Sequence, residues 1–145
     1  MTQMTANNDL LVRFKDNFKD LKKADWSQLG ELYADDILFK DPVHELRGLV
    51  TLEDYFTTLC ADLTECRFEY LDQLECDNSC YVKWIMHFTH PKLGKDPIDV
   101  RGVSHIRWSD KIDFQEDFYD MGAMLYERLP VLGNVTRWLR LRLAS

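Results

Sequence analysis

The sequence predicts an α+β fold, because its helical and its strand-forming segments are separated along the chain. Apolar residues recur at three- and four-residue intervals through most of the first 65 residues. From residue 66 to residue 121 they alternate instead, in segments divided by turn-forming residues. Helices followed by hairpin-connected strands indicate an antiparallel sheet covered by helices, not the strand–helix alternation of a parallel sheet. No internal repeat or linker divides residues 1–145, so we expect one domain.

The helical region is predicted to contain three helices. The first covers residues 9–23, where an apolar stripe faces one side. Asp25 can cap the second, whose apolar face ends at Tyr33. Thr51 and Asp54 have the spacing of a capping box and open the third helix.

Four strands and a helical tail are predicted in the second half of the chain. The strands cover residues 66–76, 80–89, 98–108 and 111–121, with turns at residues 77–79 and 109–110. The tail, residues 122–145, is expected to form one helix from Gly122 to Leu129, ended by Pro130, and a second capped by Asn134. Arg137, Arg140 and Arg142 make this end of the chain basic. They either stabilise the C-terminus of a helix from a solvated face or contact a membrane surface or an acidic partner.

The stretch from residue 33 to residue 48 is the most informative part of the sequence. A strand is predicted over residues 37–41, and side-chain alternation puts Asp41 on the same face as two apolar residues. Pro42 ends the strand, because it has no N–H to donate. A carboxylate in that position either caps the turn through backbone N–H groups or faces a pocket as a proton-transfer group.

Charge and composition disfavour several classes of partner. Eighteen basic residues against 25 acidic ones give a net charge of −7, which disfavours nucleic acid. No apolar run reaches the roughly 20 residues that span a bilayer, and the polar N-terminus lacks a signal-peptide core, so we expect a cytoplasmic location. The four cysteines are expected to be free thiols. No metal-ligand cluster emerges from the histidines. Cys76 and Cys80 flank a turn, and a zinc site there is the alternative to free thiols.

The central stretch resembles the SnoaL-like and ketosteroid-isomerase-like branches of the NTF2-like superfamily. The resembling residues are Tyr-Ala-Asp-Asp at 33–36, then Asp41-Pro42-Val43, then Gly48. The resemblance implies a cone-shaped fold, with three helices packed on a curved antiparallel sheet and a pocket between them. It also implies acid–base chemistry without a cofactor, in which Asp41 is the general base that moves a proton between carbons of a bound enone.

Such isomerases also need hydrogen-bond donors for the developing enolate oxygen. Matching the pattern outward from Tyr33 puts Asn17 where the isomerases have a donor tyrosine. The run Ser104-His105-Ile106-Arg107 puts Ser104 where they have a donor acid, and His105 outside the pocket. Both donors are less acidic than the family's, so steroid isomerisation is not expected.

The second candidate acid is Asp117 on the last strand. Residues 115–120 resemble the closing strand of SnoaL-like cyclases and of limonene-epoxide-hydrolase-like proteins, in which the first acid helps to activate water. By alternation, Asp117 shares a face with Gln115 and Tyr119, and it lies across the same pocket as Asp41 if that face points inward. The alternative is that Asp117 is an acid at the edge of the sheet or at the rim of the pocket. Segment 83–85 lacks the acid that those hydrolases also require, so epoxide hydrolysis is not predicted.

The remaining predictions concern the mouth of the pocket, its wall and the outer face of the sheet. His44 is either a proton partner of Asp41 or an exposed turn residue. The predicted pocket residues are Asn17, Tyr33, Phe39, Tyr55, Trp84, Ser104 and Tyr119. The opposite face of the last strand is predicted to present Ile112, Phe114 and Phe118 and to form a homodimer, which a monomer mass in light scattering at micromolar concentration would contradict.

Two functions remain open at this point. The first is a protein that binds a small apolar ligand and acts as a cofactor-free isomerase, cyclase or hydratase. The second is a non-catalytic ligand-binding or docking module, because the same fold serves that purpose too.

Overall fold

The computed structural model describes residues 2–124 and 130–144 and confirms the predicted α+β class. The helices are α1 (Thr2–Phe18), α2 (Leu49–Asp62), α3 (Met121–Met124) and α4 (Pro130–Ala144), with 3-10 turns at Trp26–Glu31 and Pro91–Leu93. The strands are β1 (Tyr33–Lys40), β2 (Glu45–Arg47), β3 (Glu65–Cys76), β4 (Ser79–Thr89), β5 (Ile98–Trp108) and β6 (Ile112–Tyr119).

The strands form one sheet in the order β2-β1-β6-β5-β4-β3. The pairs from β3 to β6 are antiparallel, as predicted. Strand β1 instead runs parallel to β6, with Phe39 beside Gln115. The last strand of the chain is therefore central, and its inward side chains lie between those of β1 and β5.

The first helix ends at Phe18, five residues before its predicted end, because the chain then pairs with the edge of β3. The Leu21 N–H donates to the Cys66 carbonyl at 2.9 Å, and the Phe68 N–H donates to the Lys19 carbonyl at 3.0 Å. These bonds replace the helical ones and hold the end of α1 against the sheet.

The second predicted helix is a short 3-10 turn, not an α-helix. Asp25 caps it as expected, accepting a hydrogen bond from the Ser27 N–H at 3.1 Å. Tyr33 does not close this helix but begins β1, so the strand is four residues longer at its start than predicted.

Helix α2 begins at Leu49, two residues before the predicted capping box. Gly48 precedes it with φ at +97°, a conformation that glycine adopts without steric cost.

The C-terminal helix begins at Pro130 and not at Asn134, since proline is well suited to a first helical turn. The helix predicted from Gly122 to Leu129 extends outside the described residues, and its described part is helical to Met124. No helix in the described ranges is long and apolar enough to cross a membrane.

The core fills the space between the helices and the inner face of the sheet. Its fully buried members include Leu11, Leu29, Ile37, Leu52, Val82, Val100 and Ile106. Removing this apolar surface from water is the main stabilising term.

Ile112 does not lie on the outer face of the sheet, contrary to the prediction. Its side chain is fully buried, because β6 carries an irregularity between residues 112 and 114. Trp108 pairs with Ile112, whereas Arg107 pairs with Phe114, so the alternation shifts by one residue. The outer face retains Phe118, which is 52% exposed, and the homodimer through this face stays a prediction.

Candidate functional site

A cavity of about 430 Å³ lies between the inner face of the sheet and the helices. Its size falls in the range of small-molecule sites, roughly 300–1,000 Å³. Most of its wall is apolar and includes Phe14, Phe39, Phe56, Phe68, Trp84 and Phe88. Two carboxyl groups, those of Asp41 and Asp117, interrupt this apolar wall.

Asp117 reaches the cavity from the central strand β6. Ser104, its partner on β5, donates a hydrogen bond from Oγ to Asp117 Oδ1 at 2.6 Å. Gln115 Nε2 donates to the same oxygen at 3.0 Å. No group among the described residues donates to Oδ2. Oδ2 is therefore the carboxyl oxygen that a ligand can engage.

Two further hydrogen bonds orient the groups that hold Asp117. Trp84 Nε1 donates to Ser104 Oγ at 2.9 Å, so the serine hydroxyl directs its own proton to Asp117. The buried Tyr33 hydroxyl donates to Gln115 Oε1 at 2.5 Å, so the amide nitrogen faces Asp117. The carboxyl group is thus held by donors that are themselves fixed in orientation.

Gly102 makes room for the indole of Trp84. The two residues are paired across β4 and β5, and a Cβ on Gly102 would lie 2.2 Å from Trp84 Cη2. The same Cβ would lie 2.7 Å from the Phe118 carbonyl oxygen. A side chain at this position would therefore displace Trp84 from the cavity wall.

Burial raises the pKa of Asp117 to about 6. The hydrogen bonds from Ser104 and Gln115 act in the opposite direction, and the negative charge of Asp41 raises the pKa further. A carboxyl group with this pKa gains and loses a proton close to neutral pH, as a general acid or base must.

Asp41 occupies a different environment at the end of β1. Its Oδ1 accepts hydrogen bonds from the Val43 N–H at 2.8 Å and from the His44 N–H at 2.7 Å. His44 Nδ1 lies 3.1 Å from the same oxygen, and the Tyr55 hydroxyl donates to Oδ2 at 3.2 Å. The side chain is 2% exposed and lines the cavity. Asp41 therefore caps the turn and also presents negative charge to the cavity.

Tyrosines surround the two acids. Burial, followed by the charge of Asp41, raises the pKa of both Tyr55 and Tyr119, so both hydroxyls keep their protons. The Tyr55 hydroxyl donates to Asp41, whereas the Tyr119 hydroxyl has no partner among the described residues.

The model of the SnoaL-like domain family matches residues 14–112, about two thirds of the chain. The chain belongs to the SnoaL-like domain family. A comparison of the sequence with curated proteins finds no significant match.

Several solved structures are similar in fold to this SnoaL-like protein at low sequence identity. An NTF2-like protein of unknown function from Burkholderia pseudomallei has a TM-score of 0.73 at 15% identity, over 83% of this chain and 95% of that one. A ketosteroid-isomerase-like hypothetical protein from Catenulispora acidiphila, solved with trimethylamine, has a TM-score of 0.71 at 13% identity, over 80% and 88%. A proposed SnoaL-like polyketide cyclase from Shewanella putrefaciens has 0.69 at 18% identity, over 81% and 92%. These likenesses confirm the fold.

The cavity wall of this SnoaL-like protein contains most of the site residues that the sequence suggested. Those in the wall are Phe39, Asp41, His44, Tyr55, Trp84, Ser104, Asp117 and Tyr119. Tyr33 is not in the wall but fully buried behind Gln115. Asn17 lies on α1 and is not part of the cavity wall. Its Nδ2 is buried and has no hydrogen-bond partner among the described residues.

Two features of the site went unrecognised in the sequence. Gln115 was placed on the inner face by alternation, but its role as the link from Tyr33 to Asp117 depends on the parallel pairing of β1 and β6. Tyr70 also lines the cavity. The alternation of side chains along β3, which puts Tyr70 on the same face as Phe68, is the sequence signal that could have identified it. No three His, Cys, Asp or Glu side chains in residues 2–124 and 130–144 are grouped as a metal ion requires.

The arrangement of this SnoaL-like protein combines an apolar cavity, a proton-exchanging acid and protonated tyrosine hydroxyls. Asp117 can take a proton from a bound molecule or return one. The negative charge of Asp41 disfavours the ionised form of Asp117 and so strengthens Asp117 as a proton acceptor.

Proposed function

We propose that this SnoaL-like protein binds a neutral, ring-containing ketone in its cavity and moves a proton at the carbon next to the carbonyl, with Asp117 as the general base and acid. The observation that carries the proposal is the Asp117 carboxyl group, which is held through Oδ1 and open at Oδ2 within an apolar cavity. No cofactor is needed for such a step, because the base returns the proton that it has taken.

The proposal differs from the sequence-based hypothesis in the choice of the base. Both oxygens of Asp41 accept hydrogen bonds from groups that hold the turn or from Tyr55. Asp117 has one oxygen without such a donor among the described residues. We therefore assign proton transfer to Asp117 and a fixed, charge-presenting role to Asp41.

The charge of the site supports a neutral ligand over a carboxylate. Two acidic groups and one basic group, Lys92, line the largely apolar cavity, so a ligand anion close to the two acids would meet repulsion and would lose its hydration. A neutral ring system with a single carbonyl group makes use of the apolar wall without that cost.

The proposal can be tested with 2-tetralone, a two-ring ketone with acidic α hydrogens. In deuterated buffer the protein is expected to accelerate exchange of these hydrogens, as followed by proton NMR. The acceleration should increase as pH rises and level off above about pH 6, because only the ionised Asp117 accepts a proton.

Two outcomes would count against this function. Exchange at the rate of buffer alone, across a panel of two- and three-ring ketones that bind, would remove the catalytic assignment and favour the non-catalytic binding module. Acceleration that falls as pH rises through 6 would show that Asp117 is not the base.

A further inference from the structure

Helix α4 presents a row of apolar side chains to solvent. Val135, Trp138, Leu139 and Leu143 have the i, i+3, i+4, i+8 spacing that puts residues on one face of a helix. Trp138 is 57% exposed, Leu143 is 88% exposed, and the other two are each 48% exposed. None of the four belongs to the core that the described residues form. A contiguous apolar surface in water is typical of a site that binds a partner.

The same helix is the basic part of an acidic chain. Residues 130–144 contain Arg137, Arg140 and Arg142 and no acidic residue, whereas the whole chain has a net charge of −7. Arg137 and Arg140 lie on the side of the helix away from the apolar row, as the helical period requires. This distribution attracts an anionic surface to α4 and repels it from the remainder of the chain.

Trp138 and Arg142 form a pair suited to the boundary between an apolar layer and anionic groups. The Arg142 guanidinium lies 5.4 Å from the centre of the Trp138 ring, one turn further along the helix. Tryptophan is favoured at the headgroup level of a bilayer, because its large apolar ring carries an N–H. Arginine can keep its apolar stem in the lipid while its charge reaches a phosphate. The pair therefore matches a phospholipid surface in both polarity and charge.

A second copy of α4 matches the helix less well than an anionic surface does. Two copies packed face to face would bring together the arginines of both, with no acidic residue of either helix between them. Like charges at an interface oppose association. Within its own chain, Arg140 Nη1 lies 4.0 Å from Asp120 Oδ2, and both side chains are more than half exposed. An exposed pair of this kind is weak, so it does not prevent Arg140 from facing a larger anionic surface.

We propose that α4 docks the protein on an anionic phospholipid membrane. The apolar row enters the boundary between headgroups and acyl chains, and the arginines lie at the phosphates. The helix lies along the surface, because its 15 residues are about 22 Å long and the hydrocarbon core of a bilayer is about 30 Å thick. This interaction is separate from the cavity and does not depend on the proposed reaction.

Co-sedimentation of the full chain with vesicles tests the proposal. Vesicles of phosphatidylcholine alone are compared with vesicles that contain an equal amount of phosphatidylglycerol, at low and at high salt. We expect binding to the anionic vesicles only, and we expect high salt to release the protein, because it screens the arginines.

The contribution of charge is measured with a double variant, Arg140→Gln with Arg142→Gln. We expect its binding to the anionic vesicles to be at least tenfold weaker than that of the native protein, from the usual contribution of two arginines near such a surface. The matched control is Arg101→Gln with Arg107→Gln, which makes the same change of net charge at two exposed residues of β5. The control should bind as the native protein does.

The contribution of the apolar row is measured at Trp138. Lipids brominated in their acyl chains should quench the fluorescence of the bound protein, and Trp138→Phe should lose this quenching. Trp138→Ser should weaken binding at least tenfold, because an exposed apolar ring no longer enters the lipid. Leu74→Ser is its control, since Leu74 is an apolar residue of β3 that is 73% exposed. It should leave binding unchanged.

Several results would overturn the proposal. Absence of binding to both kinds of vesicle would do so and would leave a protein as the partner of α4. Equal binding to both kinds, or equal losses in the two double-arginine variants, would show that the charge of α4 does not direct the interaction. A dimer mass in light scattering that becomes a monomer mass in Trp138→Ser, without vesicle binding, would make the apolar row a contact between copies.

Discussion

Asp117→Asn is expected to abolish exchange of α hydrogens and, at the same time, to stabilise the protein at neutral pH. The amide cannot accept the proton, so a loss of about 10²–10⁴-fold in exchange rate is expected, the usual contribution of a general base. Its oxygen can still accept the hydrogen bonds that Ser104 and Gln115 donate to Asp117 Oδ1. The cavity wall should therefore stay intact.

The gain in stability follows from the raised pKa. The pKa of Asp117 is about 6 in the folded protein, against an ordinary value of 3.8. Between these values the folded protein binds more protons than the unfolded chain, so the free energy of unfolding falls as pH rises. Ionising Asp117 in the folded protein therefore lowers the free energy of unfolding. This loss is absent below about pH 4 and complete above about pH 6, where it is of the order of 2–3 kcal/mol.

Urea unfolding of the native protein and of Asp117→Asn at pH 4 and pH 8 measures this difference. The variant should be the more stable protein at pH 8, and the advantage should vanish at pH 4. Asp110→Asn is the matched control, because it makes the same chemical change at an exposed residue of the turn between β5 and β6. A variant that is less stable than native at pH 8, or that retains exchange, would refute the assignment of Asp117.

Gly102→Ala is expected to cause the largest loss of stability among small substitutions at the site. The new Cβ would lie 2.2 Å from Trp84 Cη2 and 2.7 Å from the Phe118 carbonyl oxygen. The indole can rotate, but the backbone oxygen belongs to the paired strand β6 and cannot move without disturbing the sheet. Overpacking of this kind costs about 1–3 kcal/mol. Loss of the Trp84 hydrogen bond to Ser104 adds about 1 kcal/mol.

The measurement is urea unfolding of Gly102→Ala beside Gly30→Ala. A Cβ on Gly30 would meet only the end of the Leu49 side chain, at 3.1 Å, and a flexible side chain can yield. We expect Gly30→Ala to change the free energy of unfolding much less than Gly102→Ala does. Equal effects of the two substitutions would mean that Trp84 does not depend on the absence of a side chain at residue 102.

Segments whose structure depends on their own residues were predictable from the sequence. Strand β5 covers residues 98–108 in both the prediction and the structure, because alternation and flanking turns define it locally. The cap at Asp25 and the turn at Asp41 were also readable, since each carboxylate binds N–H groups two or three residues away.

Features that depend on distant partners were not predictable. The role of Asp117 requires Ser104 on the neighbouring strand, and the orientation of Gln115 requires Tyr33, 82 residues earlier. The irregularity that buries Ile112 has no clear sequence signal, so the predicted outer face was wrong at that residue. The sequence could therefore place Asp41 on an apolar face, but it left Asp117 either in the pocket or at the rim and made Asp41 the first candidate for the base.

The pKa of Asp117 tests the central claim most directly. Carboxyl-carbon NMR over pH 3–8, with Asp117→Asn to assign the resonance, gives this value in the ligand-free protein. We expect a titration midpoint close to 6, the value of a carboxyl group enclosed in an apolar cavity. A midpoint at or below the ordinary 3.8 would mean that the group is hydrated or fully hydrogen-bonded, and proton transfer by Asp117 would be contradicted.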